Sequence, residues 1–337
     1  MKKTNLLYLL AILAIISGLL LYYLPDMTSG HNAESNQTSQ TFKEKTIVHD
    51  FGTTELKKVP KRIVILDNLY GEILDPLHIT PVGATTGQAD SQEFSTLFKK
   101  QYKDAKVVSV GWQGNPDLDK IAELKPDLIL MTGEQEDLYE ELSEIAPTVG
   151  YQINTDENWD YHETSLKVAE IFDKRDEMKK DLDRVDAREA VFAENVKAKF
   201  GNQKLMYLRV TDNDIRYYAY GHFGYLYDTY HFNRAETFNP DDMFQVIDPD
   251  KLKDINPDLL IVQADSQELL DNKLKNNPVW SSLKAVQNNK VIYADYSTYM
   301  LGFGIVSQEA IMKQISDEWG LNLTKNDRDG RFFYVQK

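Results

Sequence analysis

One stretch of this chain is written twice. "PDLDKIAELKPDLIL" runs from Pro116 to Leu130, and "DPDKLKDINPDLLI" runs from Asp248 to Ile261. At one constant offset, Asp117 matches Asp248, Asp119 matches Asp250, Lys120 matches Lys251, Pro126 matches Pro257 and Asp127 matches Asp258. Each copy reads as an acidic N-cap, a short helix, a Pro–Asp connection and the start of a buried strand. In the second copy Pro249 falls at the first helical position, where its fixed φ is already helical. A helix-to-strand unit repeated so far apart predicts two similar α/β lobes.

The surrounding pattern agrees. "RIVIL" (Arg62 to Leu66), "VVSV" (Val107 to Val110) and "DLILM" (Asp127 to Met131) are short apolar runs of the kind that form strands buried on both faces. "YGEILDPL" and "LDKIAEL" lie between them with apolar residues at helical spacing, so the rhythm is β–α–β and the sheet largely parallel. From Tyr161 to Phe200 there is no Gly or Pro. That stretch predicts one long helix, or two nearly continuous ones, capped by Gly201. Beyond it "KLMYLRV", "IRYYAY", "DLLIV" and "KVIYA" resume the strand pattern. The fold class is therefore α/β: two Rossmann-like lobes over residues 43–160 and 201–337, joined by an interlobe helix over 161–200.

The N-terminus predicts a different environment. After Lys2 and Lys3, Leu6 to Leu24 is apolar and long enough to cross a bilayer, with Tyr22 and Tyr23 suited to the outer interface. Residues 1–24 read as a membrane anchor, uncleaved in preference to a cleaved signal, and 25–42 as a flexible polar tether. The formal charge of -15 excludes a nucleic-acid partner, which would need clustered Lys and Arg. There is no cysteine, so disulfides, thiolate metal sites and Cys nucleophiles are excluded. No hydrolase, zinc-protease or P-loop signature is present, and no metal-ligand set is predicted.

"KRIVILDNLYGEILDPLHITPVGA" (Lys61 to Ala84), the two copies and the Gly-free middle resemble the iron–siderophore substrate-binding proteins of ABC importers. That class includes the ferrichrome- and vitamin B12-binding proteins, whose lobes are joined by a rigid helix. The resemblance spans about Thr46 to Leu321. It implies a monomeric binding protein with no catalysis and no intrinsic cofactor. Such a receptor holds a ferric siderophore between its lobes on the extracytoplasmic face of a Gram-positive cell membrane and delivers it to ABC permease subunits. It also implies that Asp119 and Asp250, which stand where the family carries Glu, dock on the permease. One departure concerns anchoring: "IISGL" (Ile15 to Leu19) resembles a lipoprotein box, but Leu19 replaces the Cys that would take the lipid. Rival readings are a haem or cobalamin receptor, a two-lobe extracellular sensor without a transport role, and a hydrolase working in the interlobe cleft.

Ligands of open α/β sheets sit beyond the carboxyl ends of the strands. "DNLYGE", "GWQGNPD", "TGEQED" and "QADSQE" occupy such places, and Tyr70 and Trp112 are expected to wall an aromatic cleft; ordinary packing is the alternative for each. In "LMYLRVTDNDIRYYAYGHFGYLYDTYHF" (Leu205 to Phe232), "TDND" predicts a hairpin with Asp212–Asn213 at its tip. Val210 then pairs with Ile215 and Arg209 with Arg216, and alternation puts Tyr207, Arg209, Arg216, Tyr218 and Tyr220 on one face. Two Arg directly opposed repel each other, so an anion is expected to offset them: either the ligand or nearby carboxylates. The pair favours a hydroxamate or citrate–hydroxamate chelate over a catecholate. His222, Tyr296 and Tyr299 complete the expected ligand-binding set.

Overall fold

The computed structural model describes residues 44–88, 91, 93–153 and 161–321. The expected anchor and tether lie outside them. Among the described residues no helix is long and apolar enough to cross a membrane.

A hairpin of β1 (Lys45–His49) and β2 (Gly52–Leu56) opens the described chain. Asp50 N–H donates to the Gly150 carbonyl (3.1 Å) and Thr54 Oγ1 to the Thr148 carbonyl (2.6 Å), which seats the hairpin against the first lobe. That lobe contains β3 (Ile63–Ile65), β4 (Gly83–Thr86), β5 (Val108–Trp112), β6 (Asn115–Pro116), β7 (Leu128–Thr132) and β8 (Thr148–Tyr151). Their order in the sheet is β6-β5-β4-β3-β7-β8, with only β6 antiparallel to its neighbour. β3 and β7 are buried along their whole length, as their unbroken apolar sequences require. One face of this sheet packs Val64, Leu66, Ile129 and Met131 on Ile121 and Leu142. The other face joins the large core that runs on into the second lobe.

The second lobe contains β9 (Lys204–Val210), β10 (Ile215–Tyr218), β11 (Asn233–Arg234), β12 (Gln245–Val246), β13 (Leu259–Ala264) and β14 (Val291–Ala294). The order is β12-β10-β9-β13-β14, with β11 pairing on β9. β9, β13 and β14 are parallel, while β10 runs antiparallel to both of its neighbours, β9 and β12, so this sheet is mixed, as the expected hairpin requires. The cause is the hairpin itself, which returns the chain antiparallel to β9 instead of crossing over through a helix.

The repeated unit folds alike in both lobes. The Asp117 carboxylate accepts from Lys120 N–H at the start of helix Leu118–Glu123, and Asp248 accepts from Asp250 N–H at the start of Pro249–Ile255. At matching places past the helices, Lys125 (φ 48) and Asn256 (φ 45) turn left-handed. The Pro–Asp connection also has a physical role. Asp127 Oδ1 accepts from Lys61 N–H (2.9 Å) and Arg62 N–H (2.6 Å), and Asp258 Oδ2 from Lys204 N–H (3.0 Å). In each lobe this carboxylate satisfies amides where the neighbouring strand, β3 or β9, enters the sheet.

The connection between lobes is the second of the two expected forms, a pair of nearly continuous helices, Tyr161–Ile171 and Arg175–Phe200. Between them Asp173 sits at φ 59 and pairs with Lys45 (2.7 Å). Asp tolerates the left-handed region without the Gly or Pro that would have marked the break. Gly201 ends the second helix as expected, at φ 53, with its N–H on the Lys197 carbonyl (3.0 Å). Arg188 of that helix forms a buried ion pair with Glu309 of the closing helix Ile305–Trp319.

Glu72 joins the lobes directly. It lies on helix Asn68–Leu74 of the first lobe and accepts from Phe303 N–H (2.9 Å), Ser307 N–H (2.8 Å) and Ser307 Oγ (2.7 Å) at the start of the closing helix. The approach needs a glycine: a Cβ on Gly304 would lie 2.9 Å from Glu72 Cβ. A carboxylate at these orphan amides also complements the helix dipole.

Candidate functional site

The hairpin forms in the expected register, with Ile215 opposite Val210, Arg216 opposite Arg209 and Tyr218 opposite Tyr207. At its tip Thr211 Oγ1 accepts from Asn213 N–H (3.3 Å) and Asp214 N–H (3.1 Å), a local lock that fixes the short loop. Each Arg has its own acid. Arg209 grips Asp265 through Nε (3.1 Å to Oδ1) and Nη2 (3.0 Å to Oδ1, 3.2 Å to Oδ2), and Arg216 Nε donates to Asp214 Oδ1 (2.7 Å). The expected anion is therefore supplied within the chain. Each guanidinium also lies over a ring: Arg209 on Tyr296 (5.1 Å) and Arg216 on Phe244 (4.3 Å).

Tyr218 follows Arg216 on the same face, and beyond it lies an open-mouthed recess of about 140 Å³. Its wall is Tyr218, Tyr220, His222, Phe223, Met243, Met300 and Phe303. Tyr220 is edge-on to Phe238 (5.2 Å) with the Arg234 guanidinium over its ring (4.7 Å). His222 Nε2 is 2.8 Å from the Tyr299 carbonyl, and Phe303 lies against the imidazole (4.3 Å). Burial pushes the His222 pKa down to about 4, so the ring is neutral at physiological pH.

Across from this face the first lobe presents acids. Asp67 caps helix Asn68–Leu74 through Leu69 N–H (2.8 Å). Burial, with Glu134 and Glu72 nearby, pushes its pKa up to about 7. Glu134 is raised by burial as well and takes a hydrogen bond from Gln113 Nε2 (2.9 Å). Tyr296, whose pKa is raised chiefly by burial, lies within electrostatic reach of Glu134, so the two walls face each other there. A Cβ on Gly87 would meet Leu301, a second point where the lobes touch.

Two expected site residues belong to the core. Tyr70 is 0% exposed and its hydroxyl donates to the Met131 carbonyl, so it packs under the sheet instead of walling the cleft. Tyr299 is also 0% exposed and donates to Gln314 Oε1 (3.2 Å); its contribution is the carbonyl that holds His222. In both cases a short helix starts at the strand end but turns the Tyr inward, and sequence position alone does not give that rotation. Trp112 is partly exposed at the end of β5, where its ring closes over Gly114. Asp119 and Asp250 are exposed in the first turns of their helices. Sequence reasoning missed Phe244, Met243, Met300, Phe303 and the pairing of Asp265. Only Asp265 left a signal, in "QADSQE" at the carboxyl end of a strand.

Comparison with known proteins accords with this geometry. The family described as periplasmic binding protein matches residues 63–298. The Fe(3+)-citrate-binding protein YfmC of Bacillus subtilis is 29% identical over 90% of this chain and 96% of its own length. The petrobactin-binding protein YclQ of the same organism is 28% identical over 94% and 99%. The crystal structure of Staphylococcus aureus SirA complexed with staphyloferrin B superposes with a TM-score of 0.66 at 26% identity, covering 83% of this chain and all of that one. The chain thus belongs to the periplasmic binding protein family and is a substrate-binding protein of the ABC-importer class, not an enzyme.

Proposed function

We propose that the protein captures a ferric siderophore between its lobes on the outer face of the cell membrane and delivers it to an ABC permease. The observation that carries this reading is the hairpin. Two guanidiniums stand side by side on one strand face, each lying over a ring and oriented by an Asp. Arg has five N–H donors in a rigid fork, and Arg209 Nη1 has no hydrogen bond among the described residues, so an incoming anionic oxygen finds a preset donor. A chelate bearing carboxylate or hydroxamate oxygens suits this wall, and a hydroxamate or citrate–hydroxamate siderophore is favoured over a catecholate. Related proteins support the range: one is an Fe(3+)-citrate-binding protein, and another, 26% identical, an iron(3+)-hydroxamate-binding protein. Asp119 and Asp250, one exposed at the same place on each lobe, are assigned to permease docking. The apolar N-terminal segment, with Leu19 in place of a lipid-bearing Cys, is assigned to anchoring.

Native mass spectrometry of the purified protein with ferric hydroxamates, citrates and catecholates tests the reading. The expected result is a one-to-one complex with a carboxylate- or hydroxamate-bearing chelate. Retention of haem with a Soret band would replace the reading with a haem receptor.

A further inference from the structure

Resting on that reading, we infer that the recess beside the two Arg is a separate subsite for an uncharged, apolar arm of the ligand carrying an N–H group, and that His222 accepts that hydrogen. Apart from phenol hydroxyls, the recess wall is rings and thioethers; His222 alone brings a ring nitrogen to it. A backbone carbonyl only accepts, so the 2.8 Å contact with Tyr299 places the hydrogen of the imidazole on Nε2. Nδ1 is then a bare lone pair, and it has no hydrogen-bond partner among the described residues. Phe303 (4.3 Å) and Phe223 (4.8 Å) hold the ring in place, and its depressed pKa keeps it neutral.

A bare lone pair repels the ionised oxygens that chelate iron. The chelated centre therefore belongs over Arg209 and Arg216, and the recess takes what joins the chelating groups. Tyr218 links the two halves, since its ring lines the recess and it follows Arg216 along the strand face. A hydrocarbon chain interrupted by a secondary amide matches this wall: the chain meets the rings, and the amide N–H meets Nδ1. Met243 and Met300 suit a flexible guest because thioether side chains repack readily. Met243 is 58% exposed, an apolar surface that such an arm would cover.

The test uses gallium(III), which replaces iron(III) without paramagnetic broadening. The probes are gallium citrate, which has no arm, and the gallium complex of a citrate diamide with N-hydroxy-N-acyl alkyl arms. Nitrogen-15 spectra of the wild-type protein read the His222 Nδ1 resonance directly. The armed complex should move it upfield, as expected for a lone pair that gains a donor, and citrate should not. His222→Phe should lower the ratio of armed-complex to citrate affinity about tenfold, the equivalent of one hydrogen bond of ~1.4 kcal/mol. If the armed complex binds and neither the resonance nor the ratio moves, the subsite is wrong while the receptor reading stands. If neither complex binds, the receptor reading fails and the subsite falls with it.

Discussion

Arg209 is held by Asp265 through three hydrogen bonds of 3.0 to 3.2 Å, at the carboxyl ends of two adjacent parallel strands. The carboxylate that orients the guanidinium also places a negative charge where the proposed anionic ligand would approach. Asp265→Asn keeps an acceptor for Arg209 and removes that charge. The expected outcome is tighter binding of an anionic ferric chelate by roughly fivefold, from a like-charge term of about 1 kcal/mol in water. The gain should shrink at high salt. Weaker binding by titration at both salt concentrations would mean that Asp265 acts by positioning Arg209 alone.

Asp119 and Asp250 are exposed, and the carboxylates that cap the two helices belong to Asp117 and Asp248 instead. Replacing both Asp119 and Asp250 with Ala should leave chelate affinity within about threefold while uptake of labelled iron through the permease falls, since rim charges govern association and register. Loss of chelate binding in a folded double variant would place these residues in the pocket.

Glu72 gives the interlobe contact a pH signature. It is 1% exposed, and burial raises its pKa from 4.5 to about 7 against the hydrogen bonds from Ser307 and Phe303. A carboxyl with a raised folded pKa binds its proton more tightly in the folded state. Its contribution is complete below pH 4.5 and is lost as the pH rises to about 7. The size is on the order of 3 kcal/mol. Urea unfolding of wild type and Glu72→Gln across this window should therefore show the wild type losing ground to the variant as pH rises. A constant difference between the two would contradict the burial of an ionisable group at this contact.

The sequence carried the periodic features and hid the rotations. The repeated helices, their Asp caps and the Arg209–Arg216 register follow from local rules: capping, proline placement and strand alternation. Asp127 and Asp258 were visible as a repeat, but their role depends on strands that come from elsewhere in the chain. The break at Asp173 was hidden because an Asp, not a Gly or Pro, takes the left-handed turn. Tyr70 and Tyr299 looked like cleft residues by position, and only the packed helices decide that they face inward. The recess joins Tyr218 at a strand end and His222 in the turn after it with Met243 and Phe303 from two separate loops, which no local pattern announces.

The proposed grip of the hairpin guanidiniums on an anionic ferric chelate is open to direct measurement. Intrinsic fluorescence quenching, with a ferric citrate–hydroxamate complex titrated into wild type, Arg209→Gln and Arg216→Gln, tests it most directly. Quenching should saturate at one chelate per chain, and each variant should bind more weakly by ~1.5–3 kcal/mol, the range for hydrogen bonds to charged groups. Equal affinity in all three proteins would show that the pair faces solvent and that the ligand is held elsewhere.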